Sequence, residues 1–295
     1  MRSRPALFPS DLTRQRITTP AGTFDAVATG PSTGRKVLLL HGALECGIEW
    51  RHQLRALAAH GYRAVAPDLR GYSPGVRPRR ASAYGLDHLV RDVVELADAL
   101  EWTRFDLVGH GCGAMAAWVA AARFPLRVRT VTAVSAPHPG ALAAAVRTDP
   151  DQRRRWARLV RLPEPGVAER ALLADDGARL RAGWPSAIPP ERAAQYVRKL
   201  AEPGALTAAL NWYRANDFTE GTAADLTDLH RPVSVPTRYL WGEEDEIISP
   251  DTAQNAARWT TGPYWFEVLP GVGHFVPEEA AEETTLHLLD HLATY

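Results

Sequence analysis

Between residues 36 and 134, short apolar runs alternate with segments whose apolar residues recur at helical spacing. That alternation restricts the chain to a mostly parallel sheet flanked by helices. Val37-Leu38-Leu39-Leu40 reads as a buried strand ending at His41-Gly42. Trp50, Leu54, Leu57 and Ala58 then share one helix face, and Gly61 closes that helix. Arg63 to Ala66 is the next strand, Leu86 to Leu100 a helix and Phe105 to Val108 a strand. Cys112 to Phe124 follows as a helix and Thr130 to Val134 as a strand. After Ser135-Ala136-Pro137-His138-Pro139 the rhythm stops. From about residue 140 to 230 the chain reads as helices and prolines, with Trp156, Trp184, Tyr196, Trp212 and Tyr213 among them. At Val235 it resumes with a strand over Arg238–Trp241, a helix over Pro250–Trp259, a strand over Trp265–Leu269 and a closing helix over Glu278–Leu292. The expected architecture is α/β, with a core from 1–137 and 231–295 and an inserted helical cap at 138–230. The cap would lie over the carboxyl edge of the sheet, where open α/β sheets bind their ligands.

The chain has 295 residues, enough for one large domain carrying such an insertion. Lys+Arg and Asp+Glu number 34 each, a balance that offers no general attraction for nucleic acid or an anionic membrane. The N-terminus MRSRPALFPSDLTRQR lacks the apolar stretch of a signal peptide, and no run elsewhere is long enough to span a bilayer. Cys46 and Cys112, the two cysteines, have the spacing of neither a disulfide framework nor a zinc site. The expectation is a cytoplasmic monomer or homodimer with a small-molecule substrate, no metal and no cofactor.

Residues 107–116, LVGHGCGAMA, carry the chemistry. Gly109-His110-Gly111-Cys112-Gly113 has the outline of a sharp strand-to-helix turn that lifts its central residue to the top of the sheet. Gly109 and Gly113 suit the close approach of strand and helix. The apex, Gly111, has no side chain. Ala43, after His41-Gly42, and Cys112 would offer backbone N–H groups to an oxyanion hole. An acid and then a histidine follow in the order a triad requires: Asp245 in Gly242-Glu243-Glu244-Asp245, and His274 in Gly271-Val272-Gly273-His274. Asp245 would orient the imidazole and stabilise it when protonated.

These residues resemble the α/β-hydrolase family over nearly the whole chain, and its epoxide-hydrolase-like branch most closely. The cues are His41-Gly42 with Glu45, Asp68-Leu69-Arg70-Gly71-Tyr72-Ser73, the His110 elbow, Pro137-His138-Pro139, Leu210-Asn211-Trp212-Tyr213-Arg214 and Gly271-Val272-Gly273-His274-Phe275. The resemblance implies an aspartate nucleophile at position 111, a water activated by His274, and two cap tyrosines that polarise the epoxide oxygen. Tyr213 matches one of them, and Trp156 stands where the other is usual. Leu44 replaces the proline of the HGxP loop, and Cys112 occupies the place of the halide-holding tryptophan of related dehalogenases. Three changed positions, 111, 156 and 44, point towards divergence of the chemistry rather than a single replacement.

Three functions fit this pattern. One is an enzyme that uses His274, Asp245 and Tyr213 without a covalent ester, with Leu44, Trp156, Trp212, His138 and Phe275 around the substrate. The second is a non-catalytic small-molecule binder or scaffold, in which Gly111 relieves strain at an elbow of positive φ. The third is an ordinary epoxide hydrolase whose aspartate has been replaced at 111. The side chain of Cys112 is expected to point away from the site. Cys46 is read as a small buried hydrophobe and Arg153-Arg154-Arg155 as a solvated helix face.

Overall fold

The structure is a computed structural model that describes residues 11–161, 165–216, 218 and 231–295. Its centre is an eight-stranded sheet in the order β1-β2-β4-β3-β5-β6-β7-β8. The strands are β1 (Thr13–Thr19), β2 (Gly22–Thr29), β3 (Lys36–Leu40), β4 (Arg63–Pro67), β5 (Phe105–His110), β6 (Val128–Val134), β7 (Thr237–Gly242) and β8 (Tyr264–Leu269). From β4 to β8 every neighbouring pair is parallel. β1 and β2 form a hairpin whose second strand runs antiparallel to β4. The sequence reading passed over this hairpin. β1 reads TRQRITT and leaves most of its residues exposed or half-buried, so it carries no apolar run.

Helices α1 (Arg51–Ala59), α2 (Leu86–Ala99) and α3 (Cys112–Arg123) alternate with the first parallel strands. The expected helix over Pro250–Trp259 is a short α9 (Pro250–Gln254) continued by a 3-10 turn, Asn255–Trp259. The expected closing helix is two helices, α10 (Val276–Glu279) and α11 (Ala281–Thr294), which meet at Ala280 with φ −129° and ψ 53°. Between β6 and β7 the described residues form α4 (Pro139–Thr148), α5 (Pro150–Val160), α6 (Val167–Ala182), α7 (Pro190–Leu200) and α8 (Ala205–Ala215). α6 is kinked at Ala174–Gly177, where Asp175, Asp176 and Gly177 all have positive φ. The N-terminal segment read for a signal peptide and the end of the cap at 230 lie partly or wholly outside the described residues. No helix among the described residues is long and apolar enough to cross a membrane.

The pairing register lines up the loops that matter. Leu40 faces Gly109, His110 faces Val134, Val134 faces Leu240 and Gly242 faces Leu269. The segments after β3, β5, β6, β7 and β8 therefore leave the sheet side by side at its carboxyl edge. β5 and β7 are buried throughout and β3 and β6 nearly so, with Leu38, Leu39, Leu40, Leu107, Val131 and Leu240 fully excluded from solvent.

Candidate active site

Gly111 caps α3 with φ 52° and ψ −119°. The flanking glycines are needed sterically. A Cβ on Gly109 would come within 2.5 Å of the Gly113 carbonyl oxygen, and one on Gly113 within 2.4 Å of the Leu40 carbonyl oxygen. A Cβ on Gly111 would meet only His274 Nε2 at 3.5 Å and Gly42 Cα at 3.7 Å, which are ordinary contacts. Packing does not require glycine at the apex.

His274 and Asp245 are joined. Nδ1 of His274 lies 2.8 Å from Oδ2 of Asp245. The other carboxylate oxygen accepts from the N–H groups of Ile247 at 2.7 Å and Ile248 at 3.0 Å. The donors to this buried carboxylate are thus fixed, and a carboxylate facing Nδ1 holds the proton there and leaves Nε2 as an acceptor. The backbone of His274 is pinned as well. Its carbonyl accepts from Ser135 Oγ at 2.6 Å and faces His110 Nε2 at 3.0 Å. Glu279 accepts from the N–H groups of Gly273 and Phe275 on either side. Gly242 permits the turn that leads to Asp245, because a Cβ there would lie 2.2 Å from the Gly273 carbonyl oxygen.

A cavity of about 200 Å³ opens above Gly111. Ala43, Leu44, Cys112, Trp156, Tyr213, His274 and Phe275 all line it, together with Met115, Leu142, Leu159, Ile247 and Ile248. Its walls are mainly apolar, and its volume falls below the roughly 300–1,000 Å³ of drug-sized sites. Leu44 adopts a positive φ of 65°, and its N–H donates to the Tyr72 hydroxyl at 2.7 Å. His41 fastens the same loop: its Nε2 accepts from Leu69 N–H at 2.9 Å, so the proton sits on Nδ1, 2.7 Å from the Gly42 carbonyl. The N–H groups of Ala43 and Cys112 donate to no oxygen acceptor among the described residues. Trp156 is 4% exposed, and its Nε1–H has no acceptor among the described residues.

Three site expectations change. The Cys112 thiol does not point away: it lines the cavity beside the Tyr213 hydroxyl. Burial pushes this thiol up to about 12, so at neutral pH it is protonated and a poor nucleophile. Burial, and then the neighbouring Cys112, raise the Tyr213 hydroxyl well above its usual value, which keeps its proton in place. His138 lies away from the cavity lining. It caps α4, accepting from Gly140 N–H at 3.0 Å, and its ring stacks on Trp259 at 5.0 Å. Trp212 borders only a small adjoining recess, and its Nε1–H donates to the Arg70 carbonyl at 2.9 Å. Its role is to tie α8 to the core. Both residues precede or flank motif positions in sequence, but helix geometry turns their side chains elsewhere.

Beneath the elbow sits a group that sequence reasoning did not assemble. His110 Nδ1 is 3.3 Å from Glu45 Oε2 and 3.3 Å from Glu49 Oε1, and all three side chains are buried. Burial opposes charge on His110, but Glu49 and Glu45 outweigh it and raise the imidazole well above its usual range. Burial likewise opposes the Glu49 carboxylate, and the charge of His110 holds it low. Burial and then the Glu49 charge push Glu45 well up. The cluster reads as an imidazolium, a carboxylate and a neutral acid, balanced within itself. The three donor atoms lie within 4.8 Å of one another, and a protonated His110 leaves no lone pair there for a cation. The four-residue spacing of Glu45 and Glu49 was the available signal.

The inserted helices reach the acid loop. Gln152 of α5 donates to the Ile247 carbonyl and accepts from Ser249 N–H, both at 2.9 Å. Arg155 donates to the Asp245 carbonyl at 2.9 Å. The read of Arg153-Arg154-Arg155 as a solvated face therefore fails at Arg155.

A family model described as the alpha/beta hydrolase fold matches residues 36–281. The chain is 31% identical to epoxide hydrolase A of Mycobacterium tuberculosis, over 95% of this chain and 97% of that protein. It is 30% identical to epoxide hydrolase 4 of Mus musculus, over 87% of this chain and 72% of that protein. Among solved structures, one of the epoxide hydrolases from metagenomes of hot environments superposes with a TM-score of 0.84 at 31% identity, covering 96% of this chain and 99% of the other. An epoxide hydrolase from Vigna radiata gives 0.81 at 26% identity, covering 98% and 100%.

Proposed function

Since the chain belongs to the alpha/beta hydrolase fold family and has epoxide hydrolases as relatives, we propose that it acts on a small, largely apolar organic substrate by His274–Asp245 acid–base chemistry, without an ester to the protein. The single observation that carries this reading is a hydrogen-bonded His–Asp pair whose free Nε2 faces an elbow apex with no side chain. We take the helices inserted between β6 and β7 as the cap over this site.

In the mechanism, Nε2 of His274 removes a proton from water or from a substrate O–H or C–H. Asp245 stabilises the imidazolium that forms. Tyr213 protonates the oxygen that leaves carbon, and Trp156 Nε1–H is the second donor to that oxygen. In an epoxide the attacking oxygen forms its bond to carbon as the ring C–O bond breaks, and the electron pair goes to the ring oxygen. Direct water attack, intramolecular opening, elimination and cyclisation share this machinery. Acid–base help of about 10²–10⁴-fold, with preorganised donors of comparable effect, suffices for an activated substrate.

His274→Ala should lower turnover of such a substrate by roughly a hundredfold or more, with an unaltered melting temperature as the control for folding. Turnover that survives the substitution removes the imidazole from the chemistry. Binding of epoxides without any chemical change, followed by mass spectrometry, would instead mark a receptor.

A further inference from the structure

We propose that the space above Gly111 is a carboxylate site, and that the oxygen attacking the substrate comes from a carboxylate that is not part of the protein. This rests on the acid–base reading above and names the substrate class it serves.

The donors are already in place. Cys112 is the first residue of a 12-residue helix, and its N–H and that of Ala43 line the cavity without an oxygen acceptor among the described residues. Amides at a helix N-terminus favour an anion. A second observation is independent of the helix. Trp156 lines the same cavity at 4% exposure, and its indole N–H has no acceptor among the described residues. A buried, unpaired donor is costly unless a ligand completes it. The neighbouring acids do not compete. Asp245 is occupied by His274 and two backbone N–H groups, and Glu45 and Glu49 lie beneath the elbow with His110. The side chain that would fill the space is missing, although a Cβ there would meet nothing closer than 3.5 Å. A carboxylate placed with one oxygen on the Ala43 and Cys112 amides has its other oxygen free to attack. Leu44, Met115 and Phe275 keep it poorly hydrated.

The chemistry balances with water as the sole other reagent. A carboxylate oxygen bonds to the epoxide carbon, the ring C–O bond breaks, and the ring oxygen takes the Tyr213 proton, giving a hydroxy ester. If the carboxylate belongs to the substrate, the product is a hydroxylactone and the Tyr213 oxygen regains its proton from solvent. If it is a free acid, water activated by His274 cleaves the ester at its acyl carbon, and the imidazolium hands its proton to the departing alkyl oxygen. The alkyl oxygen, which came from the carboxylate, stays in the diol. The carboxylic acid is released and loses its proton to re-protonate the Tyr213 oxygen.

The test uses the unmodified protein with styrene oxide and formate labelled with oxygen-18, against equal chloride. Expected is diol formation that rises saturably with formate, by about tenfold or more given the gain from holding reactants together, with the label in the diol. His274→Ala should then release the hydroxyalkyl formate in place of the diol. A parallel arm supplies a γ,δ-epoxy carboxylic acid, expected to give a hydroxylactone without solvent oxygen. A response to formate identifies a free acid as the source, and one confined to the epoxy acid identifies the substrate's own group. A His274-dependent product whose new oxygen comes from labelled water, whatever the formate concentration, overturns the carboxylate site and leaves the acid–base reading standing. Neither a formate-derived product nor a lactone, together with no His274-dependent product from water, overturns both.

Discussion

Gly109, Gly111 and Gly113 lie within one turn of chain and answer to different constraints. At 109 and 113 an added methyl would press on a carbonyl oxygen at 2.5 Å or less. Gly109→Ala or Gly113→Ala should therefore cost about 3 kcal/mol or more, in the range of severe overpacking, visible as a lower denaturation midpoint. Gly111→Ala meets no such contact and should cost about 2 kcal/mol, for a strained backbone at φ 52° and ψ −119°. A loss as large as at 109 would mean that the apex is held by packing after all. Gly111→Asp places a tethered carboxylate at the apex and should raise styrene oxide hydrolysis only in part, because Trp156 stands where a second tyrosine is usual in the resembling branch. Full epoxide hydrolase activity in that variant would instead restore the reading of a single lost aspartate. The cysteines give a separate check. Burial raises the Cys46 thiol well above its usual value and Cys112 to about 12. Iodoacetamide at pH 8 should leave both unmodified in the folded protein, as read by intact mass. The pairing of His274 with Asp245 was legible in sequence from order and glycine spacing. The direction of the Cys112 side chain was not, because it depends on the facing α8.

Short elements set the site's tolerances. The turn after β3 brings Glu45 and Glu49 to one side of His110, and Glu49 also accepts the Gly42 N–H at 3.1 Å. The folded His110 has a raised pKa, so its contribution is fully present below about pH 6.5, the usual unfolded value, and fades as pH rises through the folded value. Glu49 has the opposite sign: its folded pKa is lowered, so its contribution is present above the usual carboxylate range and fades as pH falls through the folded value. Glu49→Gln should lower stability by about 1–3 kcal/mol near neutral pH and flatten the alkaline decline in melting temperature. An unchanged alkaline decline would show that Glu49 is not the partner of His110. On the other side, α5 holds the acid loop through Gln152, which is fully buried. Gln152→Ala should lower both stability, by about 1–3 kcal/mol, and turnover. Arg154→Ala, on the exposed side of α5, should change neither. The helix periods announced α5 but not which of its polar residues reach inward, since that depends on where α5 lands.

At the scale of the whole molecule, the inserted helices are fastened to the core by polar contacts as well as by apolar packing. Arg51 forms two hydrogen bonds to Glu278, at 2.7 and 2.6 Å, and Tyr196 of α7 donates to the same carboxylate at 2.8 Å. Lys199 pairs with Asp68 at 3.0 Å, and Trp212 reaches the Arg70 carbonyl. Glu278→Ala leaves a buried guanidinium without its partner and should cost about 3–5 kcal/mol, measured as a fall in the chemical denaturation midpoint. A near-neutral effect would show the network to be dispensable. The strand–helix alternation, the interruption after Pro139, the elbow glycines and the order of Asp245 and His274 were determined by sequence alone, because periodicity and glycine geometry are properties of the local chain. What lies around the gap was decided only by the tertiary structure. The β1–β2 hairpin, the turning of His138 and Trp212 away from the cavity, and the meeting of His110 with two glutamates all come from packing between distant segments. No local pattern encodes such packing, because a side chain's neighbours are set by the sheet register and by where the inserted helices come to rest.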